Sequence, residues 1–134
     1  MRRPHIRFTR GRKSAGGSFQ RRNADGVAAL TLRVAVFTRD GTFVRAFGVP
    51  GWRREVMGEP YLAVDASGTV WVSVPLAGEV RGYAPDGKLL ATARGKDQPE
   101  GRRFEHPSGV ALLPGGRLAV ADLEGRIVVI DLPR

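Results

Sequence analysis

The sequence predicts an all-β protein made of antiparallel, four-stranded blades of a β-propeller that form an incomplete ring. First, the chain repeats with a period near 47 residues: Phe37-Thr38-Arg39-Asp40-Gly41 returns as Tyr83-Ala84-Pro85-Asp86-Gly87, 46 positions later. Second, short alternating apolar runs fill each unit, and no segment has a helical period of useful length. Self-similarity at about 40–50 residues, with several short strands in each unit, is typical of propeller blades.

The repeats divide the chain into an N-terminal arm, residues 1–32, and a repeat body, residues 33–134. The body holds a partial blade at 33–47, a full blade at 60–93 and a three-stranded blade at 107–132. Two long loops separate the blades. A closed propeller needs about four to eight blades, so this number leaves the ring open.

In the partial blade, alternation in Arg33–Phe37 predicts a strand, Asp40-Gly41 a turn, and Thr42–Phe47 a second strand. Two alternating runs around Asp-Gly indicate a hairpin, because glycine tolerates the positive φ that such turns require. The next two units follow the same pattern. The predicted strands are Tyr61–Asp65, Thr69–Val74, Glu79–Tyr83 and Lys88–Ala93 in the full blade, and Gly109–Leu113, Arg117–Ala121 and Arg126–Ile130 in the last one.

The arm is strongly basic and low in apolar residues. Of the net charge of +9, residues 1–30 carry eight Arg or Lys and one Asp, a net +7. Such a segment is expected to be disordered or loosely docked. A basic arm also attracts phosphate, so nucleic-acid binding through the arm and through loop arginines is an alternative function. Residues 27–32 suit either a strand or a short helical turn.

The composition excludes several classes of chemistry. There is no cysteine, so disulfides, thiolate metal sites and cysteine nucleophiles are excluded. No apolar run approaches the length of a membrane span, and no apolar stretch of signal-peptide type follows the basic N-terminus. The compartment is not indicated. No cofactor motif is present, and no cofactor is predicted.

Motifs in the two larger blades resemble NHL repeats. Pro107-Ser108-Gly109-Val110-Ala111-Leu112, then Leu118-Ala119-Val120-Ala121-Asp122, then Gly125-Arg126-Ile127-Val128-Val129-Ile130 follow the pattern of one such repeat. The central unit agrees through Pro60, Ala63-Val64-Asp65 and Tyr83, and the likeness covers about residues 33–132. It implies a propeller module that acts as a binding scaffold.

The central unit departs from the NHL pattern, because Ser73-Val74 replaces the Ala121-Asp122 ending. Related propeller hydrolases and lactonases bind a metal at the channel mouth, which makes an enzyme fragment with a channel metal a second alternative. Only Asp122 matches a residue of that metal site, and Ca²⁺ takes about 6–8 oxygen ligands. We therefore predict no metal site.

The candidate binding residues lie in the two long loops, each of which pairs two arginines with an aromatic residue. Arginine and aromatic side chains are favoured in binding surfaces. His106 adjoins the second loop, but no nucleophile or metal partner is evident for it, so no catalytic residue is predicted. The candidates are Trp52, Arg53, Arg54, Arg102, Arg103, Phe104 and His106.

Other chemistry-bearing residues have structural interpretations. Asp40 and Asp86 are explained by turns, since Asp-Gly is what the turn geometry favours. Asp65, Asp122 and Asp131 fall at strand ends, where a carboxylate accepts backbone N–H bonds. Trp71 is predicted to lie in the core between blades.

Two and a half blades would expose an apolar sheet face and unpaired strand edges. Three explanations stay open: the chain is a piece of a longer propeller, several copies self-associate to complete it, or it is only marginally folded. The leading functional hypothesis is a non-catalytic NHL-type module that binds a protein or carbohydrate ligand.

Overall fold

The computed structural model describes residues 5–9, 33–52 and 60–133, and these residues form ten β-strands and two short 3-10 turns. The strands are β1 His5–Thr9, β2 Arg33–Phe37, β3 Phe43–Gly48, β4 Leu62–Val64, β5 Val70–Val74, β6 Glu79–Tyr83, β7 Leu89–Arg94, β8 Pro107–Leu113, β9 Arg117–Asp122 and β10 Arg126–Asp131. The all-β prediction is confirmed, and each predicted strand is present with bounds shifted by two residues at most. Within the described ranges, no helix has the length and apolar character to cross a membrane.

The chain divides into two compact units, and the first, Met1–Glu55, holds an antiparallel sheet in the order β1-β2-β3. Phe37 and Phe43 meet edge to face beside its hairpin, with ring centroids 5.7 Å apart. Strand β1 pairs along the whole of β2, from His5 opposite Phe37 to Thr9 opposite Arg33. The sequence predicts no element there, because two apolar residues among three polar ones give little alternation. The rest of the predicted arm, 1–4 and 10–32, lies outside the described residues.

The second unit, Val56–Arg134, holds a four-stranded sheet in the order β4-β5-β6-β7 and a three-stranded sheet in the order β8-β9-β10. All pairs are antiparallel, and within each sheet every strand lies beside the next one in the chain. This meander is the blade of a β-propeller. The central sheet is a complete blade, and the last sheet lacks the fourth strand among the described residues.

One type of turn recurs four times and explains much of the repeat. In each case a glycine N–H donates to the carbonyl three residues earlier, at 2.9–3.0 Å, and the glycine has φ between 90° and 97°. An L side chain rarely adopts that φ, which is why these positions are glycine. The four turns end at Gly41, Gly68, Gly87 and Gly125. The structural interpretation of the Asp-Gly pairs is confirmed, since Asp86 Oδ1 accepts the Lys88 N–H at 2.9 Å.

The core of the second unit lies between its two sheets. The first sheet contributes Trp71, Val80 and Ala93, the connecting loop contributes Phe104, and the second sheet contributes Leu118, Val120, Val128 and Ile130. The prediction that Trp71 lies between blades is confirmed. Strand β5 is buried along its whole length, so both of its faces are covered.

Candidate functional site

Three connections of the second unit meet at one end of its sheets: residues 75–78, 95–106 and 123–125, here called the loop face. In an antiparallel meander the turn from the second to the third strand lies at the same end as the connection that leaves the fourth strand. Backbone hydrogen bonds tie these connections together. The Gly95 N–H donates to Gly78 O at 2.9 Å, and the Leu123 N–H donates to His106 O at 3.0 Å.

Asp122 fixes the backbone at the centre of the loop face. Its side chain is fully buried, and its carboxylate accepts the N–H groups of Glu105 and His106, both at 3.0 Å, and that of Glu124 at 3.3 Å. Burial alone would raise the pKa of Asp122, but these hydrogen bonds and the charge of Arg126 outweigh burial and lower it. The prediction that Asp122 accepts backbone N–H bonds is confirmed.

A cleft of about 380 Å³ opens on the loop face. Its walls are apolar near the 3-10 turn and charged along the connecting loop. They are formed by Leu76, Ala77, Gly78, Glu79, Arg94, Lys96, Phe104, Glu105 and His106. The cleft therefore combines a small apolar floor with side chains of both signs, an arrangement that suits a polar ligand better than a lipid.

The acid at the cleft wall is already neutralised by the sheet. Glu79 Oε2 lies 2.8 Å from Arg81 Nε, and Glu79 Oε1 lies 3.5 Å from Arg94 Nε. Arg94 and Lys96 are exposed, whereas Glu79 is mostly buried. Around Glu79 the exposed charges of Arg94 and Lys96 are therefore positive, whereas the exposed Glu105 of the same cleft is negative.

A histidine that lines the cleft lies close to two acids. His106 Nδ1 lies 2.8 Å from Glu124 Oε1, and ligand atoms of Glu105, His106 and Glu124 all lie within 4.8 Å of one another. These three side chains are the set among the described residues with spacing that suits a cation. All three are exposed, and three ligands are fewer than Ca²⁺ takes, about 6–8. The sequence did not reveal this group, because Glu124 lies 18 positions from His106.

The structure places the predicted binding residues in different environments. In the second loop, Arg102 lies 3.8 Å from Asp131, Arg103 Nε donates to Gln98 O at 3.2 Å, and His106 borders the cleft. Phe104 reaches the cleft from the core, where it is only 2 % exposed. Trp52 is buried in the first unit, and Arg53 and Arg54 lie outside the described residues. Asp131, by contrast with Asp122, is exposed.

Comparisons with known proteins give a fold and no family. No protein-family profile and no curated protein matches the sequence. A protein of unknown function from Bacteroides caccae is similar in structure, with a TM-score of 0.52 and 15% identity over 83% of this chain and 44% of its own.

Two solved lyases are more distant. Virginiamycin B lyase from Staphylococcus aureus has a TM-score of 0.43 and 12% identity, over 76% of this chain and 35% of its own. A streptogramin B lyase has a TM-score of 0.39 and 16% identity, over 85% of this chain and 40% of its own. The chain spans less than half the length of each of these solved structures.

Proposed function

We propose that this chain is a non-catalytic binding module of the NHL type, that its blades belong to a larger propeller, and that its loop face binds a protein ligand. The NHL assignment is supported by its marker residues: Pro107 opens β8, Asp122 ends β9, and the two Asp-Gly pairs form equivalent turns. The likeness to a solved chain about twice as long supports a larger propeller.

The observation that carries the proposal is the fixed backbone beneath the cleft. Asp122 holds the N–H groups of Glu105, His106 and Glu124 from inside the protein, so all three side chains project from a backbone that is held in place. A surface ordered before binding loses less conformational entropy when a ligand arrives. A preorganised rim of mixed charge around an apolar floor is suited to recognition.

The charge pattern favours a protein ligand over nucleic acid. Phosphate binding depends on clustered positive charge, whereas the cleft that Arg94 and Lys96 line is also lined by Glu79 and Glu105. A peptide with an acidic residue next to an apolar one would pair with Lys96 and place its apolar side chain against Leu76 and Ala77.

The test is selection of binders from a displayed random-peptide library on the immobilised chain. We expect enriched peptides that carry acidic residues. Their affinity should fall about tenfold or more for Lys96→Glu, which corresponds to about 1.4 kcal/mol. The matched control is Arg117→Glu, at the opposite end of β9 and also exposed. Failure to enrich any peptide, or equal weakening by both variants, would contradict the proposal.

A further inference from the structure

One group of side chains at the loop face combines an imidazole with two carboxylates. His106 Nδ1 lies 2.8 Å from Glu124 Oε1, and ligand atoms of Glu105, His106 and Glu124 all lie within 4.8 Å of one another. The imidazole distinguishes this group from a patch of surface acids. Carboxylates alone suit Mg²⁺ and Ca²⁺, whereas imidazole nitrogen suits zinc and other transition metals. The three side chains therefore offer a mixed set of nitrogen and oxygen ligands.

A single buried carboxylate positions all three of these residues. Asp122 accepts the backbone N–H groups of Glu105 and His106 at 3.0 Å and that of Glu124 at 3.3 Å. Glu124 follows His106 by 18 positions, so the fold and not the local sequence brings them together. Ligands that start from a fixed backbone lose less conformational freedom when an ion binds.

The blade itself does not require these side chains. Asp122 binds backbone N–H groups, which any residue except proline can donate. In the central blade, Leu76 occupies the position after β5 that corresponds to Glu124 after β9. An apolar residue is thus compatible with the same connection between strands. The carboxylates of Glu105 and Glu124 and the imidazole of His106 are exposed and available for a ligand.

The separations between the ligand atoms suit a small ion with three protein ligands. Zinc is tetrahedral, and its bonds of about 2.0–2.2 Å to nitrogen and oxygen place the ligand atoms about 3.3 Å apart. His106 and Glu124 would therefore separate slightly, and any pair near 4.8 Å would close. Exposed side chains make such an adjustment by rotation about their own bonds. Two carboxylates also balance the charge of a divalent ion.

We propose that Glu105, His106 and Glu124 bind Zn²⁺, with one oxygen from each carboxylate, one imidazole nitrogen, and water in the remaining position. This set differs from Asp122, the residue that matches the metal site of related propellers, because Asp122 is buried and holds backbone N–H groups instead. Zinc binding goes beyond the binding of a protein ligand, which rests on Lys96 and needs no metal ion.

The first test is equilibrium dialysis of Zn²⁺ against the full chain. We expect one ion per chain, with Mg²⁺ and Ca²⁺ bound more weakly. The affinity for zinc should fall about tenfold or more for Glu124→Gln and for His106→Gln, because loss of even an outer-shell partner typically costs that much. The matched control is Glu100→Gln, which removes the same charge from an exposed position of the same loop and should bind zinc as the wild type does. A chain that retains no zinc, or an unchanged affinity for His106→Gln, would overturn the inference.

A second measurement needs no variant and locates the ion. His5 is the other histidine of the chain, so binding there must be distinguished. In NMR spectra of the full wild-type chain, we expect Zn²⁺ to shift the amide signals of Glu105, His106 and Glu124 and to leave those of β1 unchanged. Shifts confined to β1 would place the ion at His5 and contradict the inference. A chain that binds peptides but no zinc would refute the zinc site and leave the binding proposal standing, and the opposite result would do the reverse.

Discussion

The indole ring of Trp71 lies against the backbone of Gly82, its partner across β5 and β6. A Cβ on Gly82 would come within 2.8 Å of the ring, closer than real contacts allow. The other edge of the indole is fixed too, because Trp71 Nε1 donates to Asp65 Oδ2 at 3.0 Å. A large aromatic residue that covers a strand glycine compensates for the missing side chain and fixes the register.

This contact predicts the effect of Gly82→Ala. The methyl group would displace an indole that is hydrogen-bonded at one edge and packed in the core at the other. We expect the free energy of unfolding to fall by about 1–3 kcal/mol in urea denaturation, as for other overpacked cores. Gly48→Ala is the control, since a Cβ there meets nothing within 4 Å. An unchanged midpoint for Gly82→Ala would show that the indole is free to move.

Gly95 is subject to a tighter constraint. A Cβ at this position would lie 1.9 Å from the carbonyl oxygen of Phe104, and backbone cannot give way as a flexible side chain does. We expect Gly95→Ala to destabilise the chain more than Gly82→Ala does, and to detach the connecting loop from Gly78. Urea denaturation of both variants under the same conditions measures the order, and the reverse order would contradict this account.

The sequence predicted the strands well because two local signals agree. Alternation of apolar residues marks each strand, and glycines that need positive φ mark four of the turns between them, including Gly41 and Gly87. Both signals extend over only a few residues, so they can be recognised in the sequence without knowledge of the tertiary structure. Pairing of β1 with β2 depends instead on segments more than 20 residues apart, and its short alternation gave little indication of it.

The candidate site was predictable only in part. The loop position of His106 followed from the repeat, but its contact with Glu124 joins residues 18 positions apart. Arginine next to an aromatic residue suggested a binding surface, yet Phe104 is largely buried because the loop folds back onto the sheets. Burial of an aromatic residue in a loop is decided by tertiary packing, and composition does not report it.

One departure from the repeat pattern in the central blade removes a hydrogen-bond acceptor. Val74 occupies the position that corresponds to Asp122 of β9, and it has no carboxylate that could accept backbone N–H groups. The preceding residue, Ser73, has its side chain on the other face of β5 and binds the chain at a different place. Its Oγ accepts the Tyr61 N–H at 2.9 Å, and its own N–H donates to Tyr61 O at 3.0 Å.

Ser73→Ala tests the contribution of this contact with Tyr61. The hydroxyl is fully buried, and its loss leaves the Tyr61 N–H without this acceptor, which costs about 1–3 kcal/mol of folding free energy. Thermal and urea unfolding should both show the loss. Ser108→Ala serves for comparison, because that hydroxyl makes a longer bond of 3.3 Å to Ala121 O, and we expect a smaller effect. Equal effects would show that the Ser73 hydroxyl has no special role.

The pKa of Asp122 predicts how stability depends on pH. Hydrogen bonds hold the folded-state pKa below the ordinary value of 3.8, so the folded protein binds this proton more weakly than the unfolded chain does. The stabilisation is therefore complete above the unfolded pKa, and it is lost as the pH falls through that value and then through the folded one. Asp65, whose pKa is lowered in the same direction, adds to the loss.

Asp122→Asn separates the hydrogen bonds that Asp122 accepts from its titration. The amide keeps an oxygen that accepts hydrogen bonds but does not titrate, so the variant should be less stable than the wild type at neutral pH. Between neutral pH and about pH 3 it should lose less stability than the wild type does. Urea denaturation of both proteins at the two pH values gives this difference directly. An equal loss of stability in the two proteins would mean that Asp122 has the same pKa in the folded and unfolded states. Its buried hydrogen bonds would then not favour the carboxylate.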